Sequence, residues 1–577
     1  MNNNEMTYEI NRQNVAQAQA DYEAFKEECR DPFGVNEKLL LGILHDNKDT
    51  EYGRRYDFEH IVSYEEYKKK VPVISYDDII DDISRMVDGE KNILTAYQFN
   101  HMNETSGTVG KPKLIPMTDR QAQVFLKYNK HYMDAFYADK LGENWMKGRA
   151  FCTSQGKYRT APSGITIGDA SSKMAEYVQG GRDGLDAMLR MVYTSPVEAT
   201  IPELGTDTKY IHTRFALADR GVTGIVSGFH IMVVQYLHYI AENIELLIND
   251  IENGTIDESV DLPAEVRASL LKKIEPMPER AAELREIFRN GSDFRFVKKI
   301  WPNMEYIFGV GGDGFSVYAD TIRNRYADES VKFVFSGITA SEGLWSVPAE
   351  VGSEDSVLVP GSAFMEFLPV EAGDDFTQCV SIDKLEKGKT YELIITNLCG
   401  FYRYRMSDAI MVTGFLDKTP RVRFMYRINK TINLACEKTT EKALQQAVEM
   451  TAKELGFELS DYTVYPDAES TPPGYTFLIQ PPLPVENITE EQLAAVLDKY
   501  TCKLNPMYEE CILDHSMRHA DAFWLQPETT FLWRELQMAK GRSTGQLKPV
   551  RTIANEDQRK FFFIMRETQV GFITDSE

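Results

Sequence analysis

The sequence predicts an α/β protein in two parts: a large N-terminal α/β domain with a β-rich portion, and a small C-terminal α+β domain. Three observations carry this. At 577 residues the chain is too long for a single hydrophobic core, so at least two domains are expected. Helical periodicities alternate with short apolar runs bounded by turn residues, the pattern of layered α/β units, with β-rich material after about residue 350. The character of the chain changes again after about residue 427, which divides it into 1–427 and 428–577.

The elements follow in order. Ala16 to Glu28, Glu37 to Asn47 and Ile80 to Asp88 have helical spacing. Phe99 to Met102 leads into a glycine-bearing loop, and Thr118 can cap a helix from Gln121 to Leu141. Val222 to Ala241 holds no Asp, Glu, Lys or Arg and is long enough to cross a bilayer. His230, Gln235 and His238 are costly in lipid, so a buried helix is expected there instead. Ile244 to Ile251, Glu265 to Lys273 and Glu279 to Arg289 read as further helices, broken at Pro276 and Pro278. Glu305 to Val310, Lys332 to Phe335, Ala363 to Leu368, Thr390 to Thr396 and Ala409 to Val412 read as strands. Beyond 428, the helix Thr439 to Leu455 precedes strands Tyr462 to Tyr465 and Tyr475 to Gln480, joined by a Pro472-Pro473-Gly474 turn, and then the helix Thr489 to Leu504.

Charge and cysteine usage narrow the function. The formal net charge is −24, which disfavours nucleic acid and anionic membranes as partners. Seven scattered cysteines without a C-x-x-C pair argue against a disulfide framework or a zinc site and fit a reducing cytoplasm. The polar N-terminus reads as no signal peptide.

The most informative segment is Thr105-Ser106-Gly107-Thr108-Val109-Gly110-Lys111-Pro112-Lys113. Glycines allow close approach of backbone to a ligand, hydroxyls and loop N–H groups surround phosphate oxygens, and a lysine supplies charge. It is not a Walker loop, because Lys111 is followed by Pro112 rather than Ser or Thr. Phe335 to Gly343 ends an apolar run in a small-residue turn carrying Ser341 and Glu342, where an acid can hold Mg²⁺ or simply be solvated. In Gly400 to Asp408, strand alternation would put Arg403 and Arg405 on one face and Tyr402 and Tyr404 on the other. Two readings stand for this segment: an exposed strand with cation–π stacking, or Asp408 as acceptor for two ribose hydroxyls. Arg421, Arg423 and Arg427 are either surface charge or nucleotide contacts at a domain junction. Lys548, in the glycine-flanked stretch Gly541 to Arg551, is either a solvated lysine or a movable catalytic cation.

The form T-S-G-T-x-G-x-P-K is similar to the phosphate loop of the adenylate-forming superfamily. With VPVISYDDI, WPNMEYIFG, AFMEFLP, YELIITNLCGFYRYRMSDAIMVTGF, RFMYRINKTINLACEKTTE and QLKPVR in this order, nearly the whole chain resembles the Gretchen Hagen 3, or auxin-responsive promoter, family of acyl acid amido synthetases. The resemblance implies an adenylate-forming N-terminal domain, a small mobile C-terminal domain, ATP and Mg²⁺, and small-molecule carboxylic acid and amino acid substrates. It implies phosphate contacts from Thr105, Ser106, Gly107, Thr108 and Lys113, and Mg²⁺ on Glu342 with Ser341 beside it. It further implies ribose binding by Asp408, nucleotide contact from Arg427 at a hinge, and Lys548 as the lysine of the adenylation step. The chain departs from the family pattern at Val109, where a hydroxyl is usual, at Ile338, where a tyrosine would pack on adenine, and at Ser407, where glycine is usual. Two alternatives share these residues: an acyl-CoA ligase, and a nucleotide-binding regulator without turnover.

Overall fold

A computed structural model describes residues 3–105, 113–156, 158–169, 181–203, 206–289, 295–310, 316–428, 431–432, 434–435, 437, 439–513, 516–540 and 548–567. The chain divides into two compact units, with the border between Phe424 and Met425.

The first unit contains two large sheets that share cores with its helices, besides a four-stranded sheet that carries the glycine-bearing loop and a two-stranded hairpin. Four parallel strands, in the order Ala150–Cys152, Gly224–Phe229, Tyr306–Val310 and Lys332–Phe335, form the first. Helices Thr208–Ala218, His230–Glu242 and Ile244–Asn253 share a core with this sheet, in which Ile225, Ile307 and Phe333 meet Ile211, Leu237 and Leu247. Strands buried in this way read as apolar runs rather than as alternations. That explains the one element the sequence misassigns. The run from Val222 to Ala241 is not a single helix: Gly224–Phe229 is a parallel strand, and the helix begins only at His230. Gly224, Val226, Ser227 and Gly228 are poor helix formers, and a buried strand and a buried helix have the same hydrophobic signature. No single helix among the described residues is long and apolar enough to cross a membrane, and the pair on either side of Asn243 is bent by 74°.

The second sheet has seven strands, in the order Ser346–Pro348, Ser356–Leu358, Thr419–Arg427, Tyr404–Leu416, Thr390–Thr396, Phe364–Pro369 and Val380–Ser381. It shares a core with the N-terminal helices Asn3–Glu28 and Pro32–Asp46. Asp31 caps the second of these by accepting from the Gly34 N–H, with Pro32 in the first turn. Phe99–Glu104 and Leu114–Thr118 form an antiparallel hairpin around the glycine-bearing loop. The Thr118 side chain accepts from the Gln121 N–H and starts the following helix, which passes through a wider π-helical stretch at Phe125–His131 before Tyr132–Leu141.

In the second unit, strands Asp461–Asp467, Gly474–Gln480 and Asp521–Trp524 form a sheet. Leu444, Val448, Leu493 and Leu497, from helices Glu441–Leu455 and Glu490–Leu504, pack with Val464, Phe477 and Ile479. A separate cluster joins Leu478 to Trp533 and Phe562, from helices Thr529–Ala539 and Glu556–Glu567. A capping box at Thr489 and a left-handed Gly456 mark helix ends that turn chemistry specifies.

Candidate functional site

The strands Lys332–Phe335 and Phe99–Glu104 deliver two of the sequence motifs to one place. Beyond its carboxyl end, the first enters Ser336-Gly337, where any Cβ on Gly337 would lie 1.9 Å from the Ser346 carbonyl oxygen. Only glycine lets these two backbones come so close. Thr339–Ala340 then pairs with Gly343–Leu344, so Ser341 and Glu342 are the two residues of a tight hairpin turn. Two asparagine amides clamp this turn. Asn103 Nδ2 donates to the Ser341 carbonyl at 3.0 Å, and Asn397 Nδ2 donates to the Glu342 carbonyl at 2.8 Å. Asn397 also accepts the Cys399 and Phe401 N–H groups, which fixes the tight turn containing Gly400 at φ +95°. A Cβ on Gly400 would meet Leu94 and Thr95 at 3.1 Å.

The same end of the Phe99–Glu104 hairpin closes the glycine-bearing loop. The Thr105 N–H donates to the Lys113 carbonyl at 2.9 Å, and the Lys113 N–H donates to Thr105 Oγ1 at 2.9 Å. Lys113 Nζ donates to the Tyr404 hydroxyl at 2.8 Å and lies 5.4 Å from the Tyr76 ring centre and 5.5 Å from that of Tyr404. Ser106, Gly107 and Thr108 lie outside the described residues.

Glu342 is buried. Burial, and then the negative charge of Glu342, push the Cys399 thiol up; Tyr76 is also raised, first by burial, with Glu342 adding to it and a Leu114 backbone hydrogen bond opposing. Asn103 Oδ1 and Gln121 Nε2 are buried and have no hydrogen-bond partner among the described residues. A buried carboxylate and an unused amide oxygen are oxygen donors of the kind Mg²⁺ accepts, since Mg²⁺ uses one or two protein carboxylates plus phosphate oxygens, and the Lys113 ammonium adds a positive charge at the base of the glycine-bearing loop.

Thr105, Lys113, Ser341 and Glu342 are thus brought together. Asp408 lies four residues along the strand from Tyr404 and is buried. It sits in a bulge: the register passes from Ile394↔Arg405 to Glu392↔Ala409, two residues on one strand against four on the other. Ser407, within that bulge, is left-handed at φ +59°. Ile338 is half-buried, and its N–H donates to Ser346 Oγ at 2.7 Å.

Arg403 and Arg405 do not lie on an exposed strand face. Arg403 precedes the strand at φ +46° and is buried, gripping Glu366 with two bonds of 2.9 Å and donating to the Lys68 and Val71 carbonyls. Arg405 holds Glu392 with bonds of 2.6 and 3.0 Å and also reaches Asp374. Tyr402 is buried against Tyr52, with ring centres 4.9 Å apart. Arg423 pairs with Asp355.

Arg427 and Lys548 belong to the second unit. Arg427 is exposed at the end of its strand, and Lys548 is half-buried. The segment after Lys548 is pinned by Arg551, which is buried, pairs with Asp461, donates to the Tyr462 carbonyl at 2.9 Å and stacks 4.4 Å over the Tyr462 ring. Val464 and Thr552 form a parallel bridge beside it.

The motif reading missed Asn103, Asn397 and Tyr76. Asn103 is two residues before Thr105 and Asn397 three before Gly400, positions where an asparagine beside a glycine turn signals backbone capping. Nothing local marks Tyr76.

Comparisons with known proteins agree with this architecture. Models of the GH3 family match in chain order: the N-terminal domain over residues 21–331, the central domain over 356–427 and the C-terminal domain over 442–557. The 4-substituted benzoates-glutamate ligase GH3.12 of Arabidopsis thaliana is 27% identical over 545 residues, covering 90% of this chain and 92% of the relative. The solved structure of the GH3.15 acyl acid amido synthetase superposes with a TM-score of 0.82 at 21% identity, covering 94% of this chain and 96% of the other. A 2-hydroxyisobutyryl-CoA ligase in the postadenylation state, in complex with 2-HIB-AMP, superposes with a TM-score of 0.52 at 10% identity, covering 94% and 93%. The fold is the adenylate-forming fold.

Proposed function

The chain belongs to the GH3 family, and from that premise we propose that it is an ATP-dependent acyl-acid amido synthetase that joins a small carboxylic acid to the amine of an amino acid. The observation that best supports this at the level of residues is the Asn103–Ser341 hydrogen bond of 3.0 Å, which ties the base of the glycine-bearing loop to the Glu342 turn. Charge-offsetting and metal-holding groups must converge on one polyphosphate for adenylation to occur.

In the first step a carboxylate oxygen of the acid attacks the α-phosphorus of ATP. The bond from that phosphorus to the bridging oxygen breaks, and pyrophosphate leaves. Lys113 offsets charge on the phosphates from the N-terminal domain, and Lys548 does so from the C-terminal domain. Ser106, Gly107, Thr108 and Thr105 cradle the phosphates, Asp408 accepts from the ribose hydroxyls, and Arg427 contacts the nucleotide. Glu342 with Ser341 would hold Mg²⁺, which supplies further charge neutralisation when bound. In the second step the amine nitrogen attacks the acyl carbon, the carbon–oxygen bond to AMP breaks, and the amine loses a proton. Residues 1–427 would carry nucleotide and acyl binding, and 428–577 would move between the steps. The described cysteines (Cys29, Cys152, Cys379, Cys399, Cys502 and Cys511) are free thiols, which supports a cytoplasmic setting.

The CoA ligase likeness makes thioester formation the second reading, since it shares the first step. The test is pyrophosphate release from ATP and Mg²⁺ over a panel of carboxylic acids, each alone, with pooled amino acids, and with CoA. Acceleration by amino acids with an amide product by mass spectrometry is expected. Acceleration by CoA alone would establish the ligase reading, and ATP binding without pyrophosphate would establish a non-catalytic binder. Lys548→Ala should slow pyrophosphate release; an unchanged rate would remove it from the first step.

A further inference from the structure

We propose that Tyr404 is a positioning residue for Lys113, with Tyr76 as the second wall of the same cradle. The inference rests on the reading of Lys113 as a charge-offsetting residue of adenylation.

The two tyrosines are 328 positions apart in sequence (404 − 76) yet are mounted on one frame. Ile74 and Tyr404 form a parallel bridge: the Ile74 N–H donates to the Arg403 carbonyl at 3.0 Å and the Arg405 N–H donates to the Ile74 carbonyl at 2.9 Å. Tyr404 is further paired with Ile395 across the sheet and packed against Phe401, ring centres 4.8 Å apart. Tyr76 is fixed from the other side, because its hydroxyl donates to the Leu114 carbonyl at 3.2 Å and accepts the Leu114 N–H at 2.8 Å. Leu114 directly follows Lys113, so the backbone that carries the lysine is tied to the ring that faces its ammonium.

The chemistry of the cradle is neutral. The Lys113 ammonium gives one proton to the Tyr404 phenol oxygen at 2.8 Å, lying off that ring's hydroxyl edge, and stands 5.4 Å from the Tyr76 ring centre, within cation–π reach. No carboxylate forms a salt bridge with Lys113 among the described residues. A carboxylate would have oriented the ammonium and cancelled its charge together. A phenol orients it and leaves the charge, with two of its three protons available for phosphate oxygens. Direction is thereby fixed before substrate arrives, which is what electrostatic catalysis requires.

Two measurements on the full-length protein test this. The first does not need turnover: Lys113 is labelled with acetic anhydride and the modified peptide quantified by mass spectrometry. Removing the acceptor in Tyr404→Phe releases the amine from its hydrogen bond and should speed labelling about tenfold to a hundredfold, the range a hydrogen bond to a charged group implies. Unchanged labelling would overturn the cradle. The second is a double-mutant cycle on pyrophosphate formation. Tyr404→Phe should lower kcat about tenfold with the ATP KM nearly unchanged. In a Lys113→Ala background the same substitution should do nothing. Equal tenfold losses in both backgrounds would show that Tyr404 acts elsewhere. Faster labelling with no pyrophosphate from any variant would uphold the cradle and overturn the adenylation reading instead. Should Tyr404→Phe fail to fold, Tyr76→Leu replaces it in both measurements.

Discussion

Lys113 is bonded to Tyr404, Arg403 directly precedes Tyr404 in the chain, and the environments of the two cations are opposite. Arg403 is sunk in the core with both arms on Glu366, and its remaining N–H groups are given to the Lys68 and Val71 carbonyls. Burial works against its charge and Glu366 outweighs that, so the guanidinium stays above its ordinary range; Arg405 is held up in the same way by Glu392. Lys113 meets the Tyr404 hydroxyl and the Tyr76 ring. A cation matched by a carboxylate is spent on structure. One oriented by a neutral group keeps its field for a ligand. The difference separates the basic residues that build this fold from those that can act in it, where the sequence presents them as one cluster.

The largest effect that could break this comparison is on stability. Arg403→Ala leaves the Glu366 carboxylate buried and unmatched, and should cost about 3–5 kcal/mol in a denaturant titration. Arg403→Met combined with Glu366→Leu should recover part of it, because no lone charge then remains. If Arg403→Ala unfolds normally and loses only pyrophosphate formation, the division between structural and acting cations fails. Lys113→Ala is the mirror experiment. Pyrophosphate formation should fall by about 10²–10³, the loss typical of one preorganised electrostatic group, with the melting temperature unchanged.

What the sequence could convey follows the same line. The strand leading into the glycine-bearing loop, the Glu342 turn and the ends of the Lys332–Phe335 strand were legible because local residues specify them: a glycine at 337 where backbones touch, and apolar runs between turn residues. The partners of the arginines were not, because Glu366 and Glu392 lie on neighbouring strands and only pairing reveals them. Alternation also misled at Arg403, whose left-handed backbone breaks the strand period that would have set it beside Arg405. The Ile74–Tyr404 bridge joins distant segments with no motif at either end. In Val222 to Ala241 the apolar run concealed a strand, and His230, weighed only as a cost in lipid, proves to be the first residue of the helix.

His230 supplies a third fate for a buried base and a test at intermediate magnitude. It is fully buried, with ring centres 5.5 and 5.4 Å from Phe333 and Phe335, and neither ring nitrogen has a partner among the described residues. Burial, then the Arg323 charge, lowers it to about 3, so it remains neutral rather than paired. The unfolded chain takes up this proton near 6.5 and the native chain only near 3, so the unfolded state binds more protons between those values. Stability should therefore fall as pH drops below about 6.5, with His230 contributing up to about 1.4 kcal/mol per pH unit in that window. His230→Leu should flatten the pH dependence of the urea midpoint by one proton between pH 6 and about 4, and leave stability at pH 8 equal or higher. An unaltered slope would mean that the imidazole is protonated in the native state.

The smallest effect sharpens the comparison within five consecutive residues, 403–407. Arg403 and Ser407 are both left-handed non-glycine residues, at φ +46° and +59°. Such a backbone costs about 1–2 kcal/mol for a residue with a Cβ. At Arg403 the Glu366 pair and two carbonyl bonds offset that cost. Ser407 lies within the bulge, next to the buried Asp408. Glycine at 407 would remove the steric penalty while adding about 0.5–1 kcal/mol of unfolded-state entropy. Ser407→Gly should thus raise stability by about 0.5–1 kcal/mol, visible as a small upward shift in melting temperature, with pyrophosphate formation unaffected. If it lowers stability instead, the serine hydroxyl and not the backbone holds the bulge, and Ser407 joins Arg403 as a residue whose side chain, rather than its place in the strand, justifies its strain.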